Sequence, residues 1–589
     1  MKKRYYIGLS ASFHDPSLAI VGPDGEVLFA EATERYLQNK RASNCPPDLL
    51  LRIPEQIKEY CESDAELIGA ITWSEGHLRL LQVGVLNELS PFRKVGERAI
   101  TMLDSLTDMW PYPRQKILRA WLRQGMSQVG NQLTGNPSIQ NQVQIRRYDH
   151  HLTHAVYACY SSPFDEAVCA VVDGMGEGSA ISFFTYRNGI VEQIRDVPLC
   201  MRLTSLGVFY GFVCNLCGFD WLKGEEWKVM GLAPYGRVDE ELYNQLKAMV
   251  TMRRGRLSFG VFLTKRGKMA EELRRLKARA PGSPPLAAAD IACTGQQVFA
   301  DAMREVLNEL YDRGISRNLV LTGGCALNSS WNGRILRETS FEKLHVPSAP
   351  ADDGNSVGAA LLAYYEDHPE RRRPRKLLSP YLGTDIHPET REFLLRFNSS
   401  RVRHLPSTVS QEAAKLLAQG KIIGWMQGRA EFGPRALGHR SILADPRSPD
   451  MKDRINARVK FREEYRPFAP AILHEFGPEY FEDYQMTPYM ERALVFREEV
   501  RHKVPAVVHE DNTGRLQSVT PELSERYYQL IRAFHELTGI PLILNTSFNI
   551  MGKPIIHTIQ DALGMFYTCG LDALVIDDII VEKEDNIEA

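Results

Sequence analysis

One local pattern occurs twice in this chain, and its repetition limits the available folds more than any single motif does. In residues 4–34 the apolar run Tyr5–Leu9 is followed by a His-Asp-Pro break, a second run Ser17–Val21, and a Pro23-Asp24-Gly25 turn into Val27–Ala30. Residues 167–197 repeat the plan. Ala167–Val172 is apolar, Asp173-Gly174-Met175-Gly176 breaks it, Ala180–Tyr186 reads as a strand, and Arg187-Asn188-Gly189 turns into Ile190–Val197. Sequence identity between the stretches is slight, but the order strand, loop, strand, turn, strand holds in both. Two such units would set their loops facing each other across a cleft; the competing reading is two unrelated hairpins. At 589 residues the chain also exceeds what one hydrophobic core supports, so two or more domains are expected.

Composition removes several function classes. A net charge of −2 argues against a surface built to hold nucleic acid or anionic membrane. No run of about eighteen apolar residues occurs, so no transmembrane helix is expected. Met1-Lys2-Lys3-Arg4 imitates the start of a signal peptide, but the apolar stretch ends at His14-Asp15 without a small-residue cleavage site. Ten scattered cysteines are no disulfide framework and point to a reduced, cytoplasmic protein. Cys214 and Cys217 lack a second pair at zinc spacing and read as core.

Chemistry concentrates at a few places. In Asp149-His150-His151-Leu152-Thr153-His154, a helix would put His150 and His154 on one face, the spacing that lets two imidazoles share a metal ion; a surface pair is the simpler reading. His151 points elsewhere. Asp173 ends an apparent buried strand beside glycines that admit a phosphate. Leu319–Leu321 leads into Thr322-Gly323-Gly324-Cys325-Ala326-Leu327-Asn328, a strand-to-helix turn whose backbone N–H groups suit an anion, or a mere tight turn. Asp352, in Pro350-Ala351-Asp352-Asp353-Gly354, is a further carboxylate or a solvated turn. Ala280–Pro285 and Glu366–Pro380, the latter with the basic run Arg371–Lys376, read as surface connections. Beyond them, Gly433–Ser441 presents Arg435 and Arg440, Lys460–Pro467 adds Lys460, Arg462 and Arg466, and Asn545–Asn549 follows a strand. Converging Arg, Lys, Ser and Asn suit a small oxyanion.

Together these stretches carry a resemblance. The first domain resembles the tRNA-modifying enzymes that use threonylcarbamoyl adenylate, and the pair of domains resembles the O-carbamoyltransferases of antibiotic and nodulation-factor biosynthesis. The matches are Gly8–Ser17, Asp149–Ala155, Val171–Gly178, Lys228–Gly236, Gly323–Asn328, Asp352–Gly354, Gly433–Arg447, Arg458–Pro470 and Leu544–Asn549. The resemblance implies an α/β protein. Residues 1–370 would form a duplicated actin-like ATPase (threonylcarbamoyltransferase-like) domain with a helical insertion near 75–145, and 381–589 a YrdC-like α/β domain. It implies metal ligation, iron(II) by preference, by His150, His154, Asp173 and Asp352, and it sets His14 beside the reacting carbonyl. It places nucleotide near Glu226, Lys228, Gly231, Gly323, Gly324 and Asn328. In the second domain it implies carbamoyl phosphate held by Arg435, Lys460, Arg466, Arg515, Ser547 and Asn549. The sequence departs from the family at Trp227, where a smaller residue often precedes the lysine.

The expected activity is an ATP-dependent O-carbamoyltransferase that makes carbamoyl adenylate in the second domain and carbamoylates a natural-product hydroxyl in the first. The catalytic residues would be His14, Lys460 and Arg466. A tRNA-modifying enzyme and a non-catalytic nucleotide-binding protein are the alternatives. Neither nucleic acid nor membrane is an expected partner, and a homodimer would be unsurprising. Trp110, Tyr112 and Trp121 in the insertion read as its core.

Overall fold

A computed structural model describes residues 2–11, 14–43, 45, 52–76, 129–135, 139, 141–177, 179–194, 205–253, 256–258, 276–371, 377–396 and 401–583. The paired sequence pattern proves to be one architecture built twice. In the first sheet, β1 (Arg4–Ser10), β2 (Ser17–Val21) and β3 (Val27–Ala32) form an antiparallel meander. β4 (Glu66–Thr72) then pairs parallel to β1, and β5 (Val143–Tyr148) parallel to β4. In the second sheet, β6 (Glu166–Val172), β7 (Ile181–Arg187) and β8 (Ile190–Gln193) repeat the meander. β9 (Asn318–Thr322) joins β6 in parallel, and β10 (Lys343–His345) joins β9. Strand orders β3-β2-β1-β4-β5 and β8-β7-β6-β9-β10 are equivalent, so the two hairpins are related units of an actin-like domain. The turns behave as their residues predict: Asn188 and Gly189 both take positive φ, 52° and 85°, as a tight hairpin requires.

Parallel strands need cover on both faces. Helices α1 (His150–Ser161) and α4 (Asn355–Asp367) fill the space between the sheets, where Tyr6 and Ile68 of one sheet share a core with Val171 and Val320 of the other. The fit against β1 is at backbone contact, since a Cβ on Gly8 would stand 1.8 Å from the Ser356 carbonyl oxygen. The outer face of the second sheet is covered by α3 (Ala289–Asp312) together with the shorter α2 (Glu226–Leu232). Cys214 and Cys217 are buried in that same core, as the lack of a second cysteine pair suggested.

The C-terminal region has its own core around an eight-stranded mixed sheet. Its strands are β11 (Val402–His404), β12 (Ile423–Met426), β13 (Arg440–Ala444), β14 (Ala469–Leu473), β15 (Gln517–Val519), β16 (Leu542–Ser547), β17 (Ala573–Ile576) and β18 (Ile579–Glu582). They lie in the order β11-β18-β17-β12-β13-β16-β14-β15. A strap formed by Pro380–Thr384 joins this region to the first sheet. Ala30 N–H donates to the Leu382 carbonyl at 2.9 Å, and Gly383 N–H to the Ala430 carbonyl at 2.9 Å. Buried Glu31 and His557, with half-buried Arg52 and Thr384, tie the same seam: Arg52 reaches Glu31 and His557 at 2.9 and 2.8 Å, and Thr384 N–H reaches Glu31 at 3.1 Å.

Of the expected insertion, residues 77–128, with Trp110, Tyr112 and Trp121, lie outside the described residues, while Val143–Ile145 belong to β5. The basic run is likewise outside from 372 to 376. Among the described residues no helix is long and apolar enough to cross a membrane.

Candidate metal centre and cationic cleft

His150 opens α1, and the Asp149 carboxylate caps the helix by accepting from Leu152 N–H at 2.9 Å. The i,i+4 spacing brings His150 and His154 together, while Asp173 arrives from the end of β6 and Asp352 from the turn that precedes α4. His150 Nε2 is 3.6 Å from Asp173 Oδ2 and 3.5 Å from Asp352 Oδ1, and His154 Nε2 is 3.4 Å from the same Asp352 oxygen. One ligand atom from each residue lies within 4.8 Å of the others, and all four side chains are buried. Asp352 is therefore no solvated turn, and the histidines are no surface pair.

The donor set fits a divalent cation. His150 Nε2 and both ring nitrogens of His154 are buried without a hydrogen bond. Such nitrogens are costly to bury unless something takes their lone pairs. Thr72 Oγ1, at 3.2 Å, and Asn355 Nδ2, at 3.4 Å, flank His150 Nδ1, and Trp73 stacks on the ring with centroids 4.1 Å apart. Such outer contacts fix the orientation of a ligating imidazole. Burial opposes a charged His150, but Asp352 and Asp173 outweigh it and push the ring up to about 10. Burial also opposes ionisation of the two carboxylates, yet the imidazoles hold both below the ordinary range. His151 stays outside the cluster. Its Nδ1 meets Ser182 Oγ at 2.7 Å, and burial pushes the ring down to about 3.

His14 lies at the edge of this centre, half-buried, with Nδ1 2.8 Å from Asp15 Oδ2 and 4.0 Å from Asp352 Oδ2. Burial and Arg41 oppose its protonation, but Asp15 and Asp352 win and raise it. Arg41 continues the chain of charges, 3.7 Å from Asp15 and 4.0 Å from Glu226 on α2. The glycine turn after β9 also belongs here: Gly324 N–H donates to Asp173 Oδ1 at 2.9 Å. Gly323 has φ +91°, and a Cβ there would meet the Val172 carbonyl oxygen at 2.4 Å. Asn328 is committed elsewhere. Its amide exchanges hydrogen bonds with Gln296 at 3.1 and 3.0 Å and accepts from Trp331 N–H at 3.0 Å. A nucleotide contact at Asn328 would have to displace them.

The second cluster lies in the C-terminal region. Buried Lys460 ends a short π-helical turn (Asn456–Lys460). Its ammonium donates to the Ser547 carbonyl, to Ser547 Oγ at 3.3 Å, to the Asn549 carbonyl at 3.0 Å and to Asn549 Oδ1 at 2.8 Å. The expected trio Lys460, Ser547 and Asn549 is thus assembled. Burial, followed by Arg435, Arg462 and Arg466, drives the Arg515 guanidinium well below its usual value. Burial, Arg462, Arg466 and Lys40 do the same to Lys460. Arg435 is lowered to about 10 by burial. Glu463 offsets part of this charge, 3.5 Å from Arg466 and 3.6 Å from Lys228. Gly231 faces the same seam, where an added Cβ would touch Pro467 at 3.8 Å.

Residues 114–361 match the family profile described as carbamoyltransferase N-terminus, and 414–583 the one described as carbamoyltransferase C-terminus. The chain is 35% identical to the nodulation protein NolO of Bradyrhizobium diazoefficiens over 74% of this chain and 79% of that one. It belongs to the carbamoyltransferase family. An uncharacterized protein of Synechocystis sp. is 33% identical over 98% of this chain and 97% of its own. Among solved structures, full-length HypF in its phosphate- and nucleotide-bound form aligns over 62% of this chain and 55% of that chain, with 13% identity and a TM-score of 0.34.

Two members of the carbamoyltransferase's cationic cleft escape sequence reasoning. Lys40 belongs to the first sheet's side, yet its charge acts on Lys460. Trp227, read only as a departure from the family pattern, lies with its ring centroid 3.8 Å from Arg466 Cζ. No local signal could find either, because the contact joins segments hundreds of residues apart.

Proposed function

We propose that this transferase is an ATP-dependent O-carbamoyltransferase working at two sites. At the cationic cleft, carbamoyl phosphate is hydrolysed to carbamate and phosphate. The carbamate oxygen then attacks the α-phosphorus of ATP, giving carbamoyl adenylate and pyrophosphate. At the other site an acceptor hydroxyl attacks the carbamoyl carbon, giving the carbamate ester, AMP and a proton. Free carbamate is a poor acyl donor, and adenylation supplies its leaving group.

The observation that carries the reading is the presence of two unlike clusters, one of buried imidazoles and carboxylates and one of cations. Lys40, Arg435, Lys460, Arg462, Arg466 and Arg515 share one region, where burial first and neighbouring cations second lower Lys40, Lys460 and Arg515, a field that a polyanion relieves. Cations so placed stabilise charge on a transferring group by about 3 kcal/mol per well-aimed donor. At the other site His14 stands beside the ligand cluster. Asp15 orients its ring through Nδ1, so Nε2 is the nitrogen that takes the acceptor's proton. A first-row divalent ion, iron(II) in our reading, would be held by His150, His154, Asp173 and Asp352, and would neutralise the adenylate phosphate and disfavour a further positive charge on His14. Glu226, Lys228 and the Gly323-Gly324 turn are the nucleotide-side residues of this reading. The acceptor is a hydroxyl of a small-molecule natural product, a class that the nodulation proteins among the relatives support.

The test is pyrophosphate release from ATP with and without carbamoyl phosphate, metal present. Release that depends on carbamoyl phosphate is expected; release indifferent to it would overturn the reading.

A further inference from the structure

Trp227 belongs to α2, on the first domain's side of the seam, and Arg466 to the loop after Lys460. The guanidinium carbon of Arg466 lies 3.8 Å from the centre of the indole ring, with Lys40 Nζ at 5.4 Å and Lys228 Nζ at 5.7 Å from rings of the same side chain. Three cations therefore converge on one indole. Glu463 is shared between two of these cations, Lys228 at 3.6 Å and Arg466 at 3.5 Å. Trp227 Nε1 is buried without a hydrogen bond.

A π face attracts a cation without neutralising it. Glu463 already meets one end of Arg466; a second carboxylate in the place of the indole would repel an anionic substrate and occupy the rest of the N–H fork that recognises phosphate. The indole holds the guanidinium against its π face in a cation-rich region and itself cancels none of its charge, part of which Glu463 offsets. We propose that Trp227 is a positioning residue for the first half-reaction: across the domain seam its ring holds the Arg466 guanidinium in place, and so sets the affinity of the cationic cleft for its phosphate-bearing substrate. The proposal rests on the two-site reading above and adds that the cleft is completed by a side chain from the other domain.

The experiment compares the full-length protein with Trp227→Phe, which keeps a ring face, and Trp227→Ala, which removes it. The KM for carbamoyl phosphate in pyrophosphate release should rise about tenfold in W227A and stay within about threefold in W227F, with kcat changed less than KM in both. Consumption of synthetic carbamoyl adenylate should be unaffected in both. Inorganic phosphate, titrated by calorimetry, should bind W227A correspondingly more weakly than the parent. An unchanged KM in W227A, a W227F as impaired as W227A, or equal loss of synthetic-donor use would each overturn the proposal. If the parent releases no pyrophosphate, the two-site reading falls, and the phosphate titration still decides the role of Trp227.

Discussion

Ser10 Oγ donates to the main-chain carbonyl of Asp352 at 2.6 Å. The bond crosses from the last residue of β1 to the loop that carries a ligand of the other half, and Ser17 repeats it on the Asp353 carbonyl at 2.6 Å. Asp173 and Asp352 thus come from the second repeat, His150 and His154 from the helix between the two sheets, and the first repeat fixes the backbone on which Asp352 stands.

Ser10→Ala should therefore damage the metal centre without touching a ligand. It removes one hydrogen bond from the buried Asp352 carbonyl, which keeps the one from Asn355 N–H, at a cost of about 1 kcal/mol in folding stability. Loss of an outer-shell contact typically weakens metal affinity about 10- to 100-fold. Denaturant titration and metal titration read the two effects separately; a variant with unaltered metal affinity would show that the loop holds its shape unaided.

His14→Asn should leave carbamoyl adenylate formation intact and block transfer to the acceptor, with a loss of about 100-fold or more in the transfer step. Pyrophosphate release and acceptor carbamoylation are measured on the same preparation. Loss of both would refute the assignment of His14 to the second step.

The converse holds at Lys460. Its ammonium makes contacts with Ser547 and Asn549, so Lys460→Ala should abolish adenylate formation while synthetic carbamoyl adenylate is still consumed. A variant unable to use that synthetic donor would sink the two-site scheme.

Glu491 gives a pH dependence of stability. Burial dominates over Arg492, 3.7 Å away, and pushes its carboxyl up to about 7 from an ordinary value of 4.5. The folded protein thus favours the protonated acid. That contribution is fully present below about pH 4.5 and is lost as pH rises to about 7, roughly 3 kcal/mol in all. Urea denaturation at pH 5 and pH 7.5 should show the parent losing stability relative to Glu491→Gln over this interval. Parallel behaviour of the two would mean that Arg492 keeps Glu491 ionised throughout.

Much of this was legible in the sequence where spacing or strand order carries geometry. His150 and His154 follow the helical repeat, Asp173 closes an apolar strand, and Asn188-Gly189 announces a hairpin; each emerged in place. Asp352 was legible only through family resemblance, since nothing local separates a ligand from a solvated Asp-Asp-Gly turn. Asn328 shows the opposite case. The family resemblance implied a nucleotide contact there, and its amide is held by Gln296 on α3. The Trp227–Arg466 contact was hidden for the same reason: it depends on how two distinct hydrophobic cores meet.

The strap at Leu382 has a consequence for biogenesis. β3 is the outermost strand of its sheet, and its main chain is met by Leu382, which the ribosome supplies some hundreds of residues later. Until then a nascent chain carries a bare strand edge of the kind that recruits other strands into aggregates. Safe synthesis of the first domain is thus tied to arrival of the second, and a gene split between them would part an adhesive edge from its shield.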